Sequence, residues 1–380
     1  MKSEKIESVQ SLRLGDAHFV RVRTESGLEG VGQSACWAYP DAVDAVVRSF
    51  EPHLLGQEAL RIEHLWQYLY RAGPFRGSVL SAAVSAVDIA LWDIKGKCFD
   101  TPIWELLGGR CRDRIRLMLL LLDDFLPEDI AAAVGDGVGQ GFTAVKFDPI
   151  PSGHGDMTLE ALVRAVEARV EAARDAAASD ADLILEFHRK LTPLQALPVL
   201  QSIAKFNILA SEDPIQIDSI TSQADIAQRL AQPLANGERL NTIWEYKELL
   251  AQGGPQFIRP DLGLAGGITH VKKIAAIAEA HHAAVMSHNF LGPLLTAASV
   301  HIDAAIPNFL VQEYLLSDEQ PGKHGLQSCL SRDGGFLTLP HEPGLGVILN
   351  EDAARPEDLN KTDIPPAPLL RRDGSINSSV

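Results

Sequence analysis

Between Leu183 and Tyr314, short apolar runs end one after another in a charged or imidazole side chain. Leu183-Ile184-Leu185 runs into Glu186-Phe187-His188, Ile208-Leu209-Ala210 into Ser211-Glu212-Asp213-Pro214, and Pro233-Leu234-Ala235 into Asn236-Gly237-Glu238. Phe257-Ile258 leads into Arg259-Pro260-Asp261, Ala283 to Met286 into Ser287-His288, and Phe309-Leu310-Val311 into Gln312-Glu313. The polar ends from Glu186 to Glu313 follow one another at intervals of 23 to 27 residues. A strand, a helix and two short loops take about that length. The spacing predicts consecutive parallel strands of a barrel that gathers its strand ends at one mouth.

Upstream the pattern changes. Residues 4–33 alternate, with turn signals at Glu25-Ser26-Gly27, and predict a small antiparallel meander. Ala35 to Pro40 reads as a loop carrying two aromatics, Trp37 and Tyr39. From Asp41 to Trp104 the period is helical, and the stretch from Ser81 to Lys97 is apolar nearly all round, which predicts a helix buried between two layers. Gly108-Gly109 closes this α+β region. Ile115 to Leu122 reads as the first barrel strand and Ala144 to Pro149 as the second. The expected division is a cap over 1–113, a barrel over 114–330, and a segment over 331–380, including Pro365-Pro366, that returns to the cap.

The chain has 380 residues, enough for a barrel of about 250 plus a smaller domain. Its formal charge of −16 argues against nucleic acid or an anionic membrane as partner. Cys36, Cys98, Cys111 and Cys329 lack metal-type spacing. Without a signal peptide or a membrane-spanning run, the expected compartment is the cytoplasm.

Three strand-end acids, Glu186, Glu212 and Glu238, form a hard oxygen set that suits Mg²⁺ better than Zn²⁺. His288, on a later strand, is the candidate base, with Asp261 one strand over to hold its tautomer. Alternation along a strand puts His188 on the same face as Glu186, where a general acid is useful. Lys190 and Arg189 are read either as holding a substrate carboxylate or as solvated. Lys146 and Asp148 share a face on strand two, and Lys146 is read either as a contact to a metal-bound carboxylate or as an ion pair with a neighbouring acid. Glu313 is expected to face the mouth and accept a hydrogen bond from a bound enediolate. Gly263-Leu264-Ala265-Gly266-Gly267 is only a weak echo of a dinucleotide loop.

Taken together, these residues resemble the mandelate racemase subgroup of the enolase superfamily, and within it the sugar-acid dehydratases of the galactonate dehydratase kind. The resemblance is carried by the stretches Tyr70 to Gly77 and Ala90 to Lys97 in the cap. In the barrel it is carried by Glu212-Asp213-Pro214, Asn236-Gly237-Glu238-Arg239, Arg259-Pro260-Asp261, Gly266-Gly267-Ile268-Thr269, Ser287-His288 with Leu291-Gly292-Pro293, and Gln312-Glu313. It implies a modified (β/α)7β barrel with an α+β cap, Mg²⁺ on the three acids, and a His288–Asp261 dyad that takes the C2 proton of an acid sugar. It further implies that His188 protonates the departing C3 hydroxyl, giving a 2-keto-3-deoxy acid. Lys146, Asp148, Lys190, Trp37 and Tyr39 would then contact substrate, and the protein would form a homo-oligomer.

The chain departs from the family pattern at strand three, where Glu186-Phe187-His188-Arg189-Lys190 replaces Asp-Phe-His-Gly-Arg. Strand two carries Lys146-Phe147-Asp148 rather than two lysines, which argues against a racemase with a Lys base opposite the His. Two alternatives stand beside dehydration. One is a cycloisomerase or epimerase using the same enediolate, and the other is a barrel that has lost its chemistry through Glu186.

Overall fold

The computed structural model describes residues 3–14, 17–122, 124–350, 352 and 367–378. It opens with an antiparallel sheet of β1 (Ile6–Leu14), β2 (Ala17–Thr24) and β3 (Glu29–Ser34). Three helices follow, α1 (Pro40–Leu54), α2 (Ile62–Arg71) and α3 (Ser78–Cys98). Gly30 and Gly32 let β3 lie directly on α3. A Cβ on either would come within 2.0 Å of the Ala90 carbonyl oxygen or 1.9 Å of the Ala86 carbonyl oxygen. Because its other side meets the barrel, α3 is buried all round, as its apolar sequence predicts.

A short α4 (Ile103–Leu106) leads to the barrel. Its strands are β4 (Arg114–Leu120), β5 (Ala144–Phe147), β6 (Asp182–Glu186), β7 (Ala210–Glu212), β8 (Leu234–Asn236), β9 (Phe257–Ile258), β10 (Ala284–Ser287) and β11 (Phe309–Tyr314). Each pairs in parallel with the next, and β11 closes onto β4 through Gln312 opposite Leu117. Seven helices fill the gaps: α5 (Pro127–Gly139), α6 (Leu159–Ala177), α7 (Pro193–Ile203), α8 (Ile220–Arg229), α9 (Ile243–Ala251), α10 (Gly267–Ala280) and α11 (Pro293–Ala305). The molecule is therefore a (β/α)7β barrel with an α+β cap. Inside the barrel, Met118, Ala144, Ile184, Ala210, Ala235, Met286 and Val311 form a dry plug of mostly small and mid-sized side chains. That floor lies one to three residues before the strand ends that carry the site.

Gly266-Gly267 serves the joint between cap and barrel. The Ser85 hydroxyl accepts from Gly266 N at 2.8 Å, Asp88 accepts from Thr269 N at 3.0 Å, and Trp66 Nε1 donates to the Gly266 carbonyl at 2.8 Å. The Trp66 ring stacks on His270 with centroids 4.0 Å apart. Gly267 sits at φ +72°, where a Cβ would meet Asp88 Oδ2 at 2.4 Å.

After β11 come β12 (Leu326–Ser328), β13 (Arg332–Asp333), β14 (Phe336–Thr338) and β15 (Val347–Leu349). The segment expected to return to the cap divides its contacts. Gly344 and Leu345 do reach it, through Thr101 O at 3.1 Å and Asp93 Oδ1 at 2.9 Å, whereas β14 extends the barrel sheet antiparallel to β4. The final hairpin, β16 (Leu369–Leu370) and β17 (Ile376–Ser378), lies on the barrel loop around His154 and Asp156 instead. Pro365 and Pro366 lie outside the described residues. Among the described residues no helix is long and apolar enough to cross a membrane.

Candidate active site

Glu186 and Glu212 end adjacent strands in direct register, and Glu238 follows β8 after Gly237, whose φ of +126° turns the chain inward. One carboxylate oxygen from each of the three lies within 4.8 Å of the others, and all three residues are buried. Lys146, read either as a contact to a bound carboxylate or as half of an ion pair with a neighbouring acid, stands among these acids and lines the cavity that Glu186 and Glu238 share with His288. Its ammonium is 2.7 Å from Glu186 Oε2, 2.7 Å from Glu212 Oε2 and 3.1 Å from Glu313 Oε1. Burial and the Arg259 charge depress the Lys146 pKa, but the three carboxylates outweigh them and raise it.

The donors fit a hard divalent cation. Glu186 Oε2 and Glu212 Oε2 receive no aligned hydrogen bond, only the nearby Lys146 charge, so buried lone pairs face the triad. Three converging carboxylates are an all-oxygen set of the kind Mg²⁺ takes. Burial pushes Glu212 up to about 8 against the pull of Arg259, with the Glu186 charge adding to the push. Such crowding of negative charge is what a cation would relieve.

His288 lies across the mouth, its Nδ1 2.7 Å from Asp261 Oδ2. The two residues also meet as a backbone bridge, three residues beyond β9 and one beyond β10. A carboxylate at Nδ1 makes that nitrogen the donor and leaves Nε2 as the basic atom. His288 Nε2 faces Glu238 Oε2 at 3.3 Å and Glu313 Oε2 at 3.9 Å. Burial opposes a charge on His288, but Glu238 and Glu313 raise its pKa overall.

His188 reaches the site by a different route from the one expected. The strand stops at Glu186, and His188 and Arg189 both adopt left-handed backbone, at φ +46° and +60°. Glu186 Oε1 accepts from the His188 backbone N at 2.8 Å, and Asp148 Oδ2 lies 2.8 Å from His188 Nδ1. Lys190 also pairs with Asp148 Oδ2, at 2.6 Å. Arg189 is not solvated. It is buried, with Nη1 2.7 Å from Glu238 Oε1 and 3.1 Å from Asp213 Oδ2.

Arg259 is a further site residue that strand spacing missed. Fully buried, it donates to Glu212 Oε1 at 2.6 Å and also to Glu313 Oε2. The signal was its place two residues before Asp261, at a strand end where few arginines would otherwise be buried. With Lys146 and Arg259 on its two oxygens, Glu313 is held in place rather than left open. Trp37 packs edge-on against Phe290, with centroids 6.1 Å apart, and lines the cavity that also contains Lys146, Glu186, Glu238, His188, His288 and Glu313. Tyr39, at the start of α1, is half exposed and does not line it.

The same chain matches two family descriptions. Residues 6–108 match the mandelate racemase / muconate lactonizing enzyme N-terminal domain, and residues 129–353 match the enolase C-terminal domain-like family. The chain belongs to the mandelate racemase and muconate lactonizing enzyme family. Its similar curated relatives include the D-galactonate dehydratase of Verminephrobacter eiseniae, 36% identical over 340 residues and 88% of each chain. That of Xanthomonas campestris pv. campestris is 35% identical over 373 residues, 94% of this chain and 95% of its own. Among solved structures, an enolase-superfamily member from Salmonella Typhimurium superposes with a TM-score of 0.87 at 29% identity, covering 92% of this chain and 97% of that one. An enolase from Agrobacterium radiobacter, bound to sodium and L-malate, superposes with a TM-score of 0.89 at 26% identity, over 98% and 100%. Membership accounts for the closed parallel barrel, its separate cap, and the placement of polar groups at strand ends.

Proposed function

We propose that this chain is a hydro-lyase that dehydrates a sugar acid with Mg²⁺. The observation that carries the reading is the placing of two imidazoles on one cavity. His288 is oriented by Asp261, His188 is oriented by Asp148, and the Glu186–Glu212–Glu238 triad shares their mouth. A cation on the triad would hold the substrate carboxylate and lower the acidity barrier at C2. His288 Nε2 removes the C2 proton while Asp261 keeps Nδ1 as donor. His188, its pKa raised by Glu186 and Asp148 despite burial, gives a proton to the hydroxyl leaving C3. The product enol then tautomerises to a 2-keto-3-deoxy acid.

The same geometry favours elimination over two-base epimerisation. Lys146 is clamped by three carboxylates and Lys190 by Asp148, so neither stands free to face His288 as a second base. The D-galactonate dehydratases supply the substrate class by analogy. The test is a screen of aldonates and aldarates with Mg²⁺, reading keto acid as its semicarbazone. Formation of keto acid that stops on chelation supports the reading. If C2 exchanges deuterium from solvent with no loss of water, dehydration is wrong and epimerisation takes its place.

A further inference from the structure

The cavity that holds the two imidazoles has a neighbour of about 330 Å³, and His188, Glu186, Leu120 and Leu122 line both. With the carboxylate, C2 and C3 of a substrate in the first cavity, the part beyond C3 has the second to enter.

That second space differs in chemistry from the first. Its sides are Leu120 at the end of β4 with Leu121 and Leu122 after it, Ile150 after β5, and Leu369 and Leu370 of the terminal hairpin. Several of the polar groups on its inner wall are engaged with one another. Asp148 takes His188 Nδ1, Lys190 Nζ and the backbone N of Ile150 at 2.8 Å, and His154 Nε2 meets Asn377 Nδ2 at 2.7 Å. Asp124 and Ser152, the remaining hydrogen-bonding side chains of the lining, are exposed. A chain of hydroxyls entering here would leave water for leucine, which costs binding unless each finds a partner.

The hairpin is fixed where it can act as a wall. Both carboxylate oxygens of Asp156 lie 3.1 Å from the Arg372 backbone N, and Asn377 is tied to His154. So held, it leaves Leu370 62% exposed on the lining of a cavity that His188 and Glu186 also line. An apolar side chain left uncovered on the wall of a reaction cavity is suited to cover by substrate.

Resting on the dehydratase reading, we propose that the substrate is a terminally deoxygenated sugar acid. Its end remote from the carboxylate carries a methyl or larger alkyl group, which packs against Leu122 and the hairpin residue Leu370. The hairpin is then a specificity determinant.

The experiment pairs each hexonate stereoisomer with its 6-deoxy counterpart, on the full chain with Mg²⁺, and compares kcat/KM for keto-acid formation. The 6-deoxy acid of the reactive pair is expected to be preferred about 10- to 100-fold, the range that one apolar-pocket contact sets. Leu370→Ser should bring that ratio near unity, chiefly through KM, and Leu122→Ser should act in the same direction. Both side chains are largely exposed, so neither change removes core packing. Equal or better turnover of the fully hydroxylated acid overturns this inference and leaves the dehydratase reading standing. An unchanged ratio in both leucine variants overturns the assignment of the wall. If no acid of either series yields keto acid or exchanges its C2 proton in D₂O, the dehydratase reading falls and takes the inference with it.

Discussion

The guanidinium of Arg189 lies 2.7 Å from Glu238 Oε1, so one of the three converging carboxylates already carries a buried cation. The same Nη1 is 3.1 Å from Asp213 Oδ2. Arg189 takes this position only because the chain turns left-handed at both His188 and Arg189. The site therefore balances its acids with fixed cations, Arg189, Arg259 and Lys146, before any metal enters.

Arg189→Ala leaves Glu238 and Asp213 buried without their partner, and breaking a buried pair in this way costs about 3–5 kcal/mol. A divalent cation on the triad supplies the missing charge. The expected result is a lower Tm in EDTA and a larger Mg²⁺-induced rise in Tm than the unaltered protein shows, measured by calorimetry. Arg189→Gly should be the milder change by about 1 kcal/mol, because glycine adopts φ near +60° without a Cβ penalty. A Mg²⁺ response equal to that of the parent would separate Arg189 from the metal site.

His288→Asn keeps a polar side chain and removes the base. C2 deuterium exchange and keto-acid formation should both disappear, while Mg²⁺ binding by titration calorimetry stays. Asp261→Asn should retain some activity but lose about 10²- to 10⁴-fold in kcat, since the imidazole loses the group that holds its tautomer. Asp261→Asn turning over at the parental rate would show that His288 needs no orienting partner.

The barrel was legible because a strand-end position repeats on one period: apolar run, polar end, helix. That period placed Glu186, Glu212, Glu238, Asp261, His288 and Glu313 in one mouth, where the structure has them. What strand alternation could not supply was the path after Glu186. Two left-handed residues break the alternation, and they decide that His188 meets Asp148 and that Arg189 turns inward. The ion pairs of Lys146 and Arg259 join residues 40 to 167 positions apart, most of them across strands that are not consecutive in the chain, and no local pattern encodes them. The terminal hairpin was equally hidden, because its partners His154 and Asp156 lie more than 200 residues upstream.

Asp303, within α11, tests electrostatics away from the mouth. Burial raises its pKa to about 8, against the pull of a hydrogen bond at 2.5 Å from Ser287 Oγ. The folded protein thus keeps a proton that the unfolded chain, with an ordinary value of 3.8, has already lost. Between those two values the fold binds more protons than the unfolded state, so the contribution of Asp303 to stability declines as pH rises, by about 1.4 kcal/mol per unit. Asp303→Asn has no proton to lose. Its stability relative to the parent should improve from about pH 5 to about pH 8, read from urea midpoints. A gap that stays level with pH would mean that Asp303 is ionised in the fold.

Gly32 links the cap to the reacting cavity. A Cβ there would stand 1.9 Å from the Ala86 carbonyl oxygen, which is helix backbone and cannot swing aside. Gly32→Ala must push β3 away from α3, and overpacking of this kind costs about 1–3 kcal/mol. The strain also has a functional reading, because Trp37 follows β3 by three residues and lines the cavity with His288 and Glu238. Displacing β3 moves Trp37 while leaving the triad, which belongs to the barrel, where it is. The expected outcome is a lower Tm and a raised KM with Mg²⁺ affinity unchanged. If Mg²⁺ affinity falls in step with KM, the cap and the triad do not behave as separable parts, and Trp37 is not the route by which the cap acts on substrate.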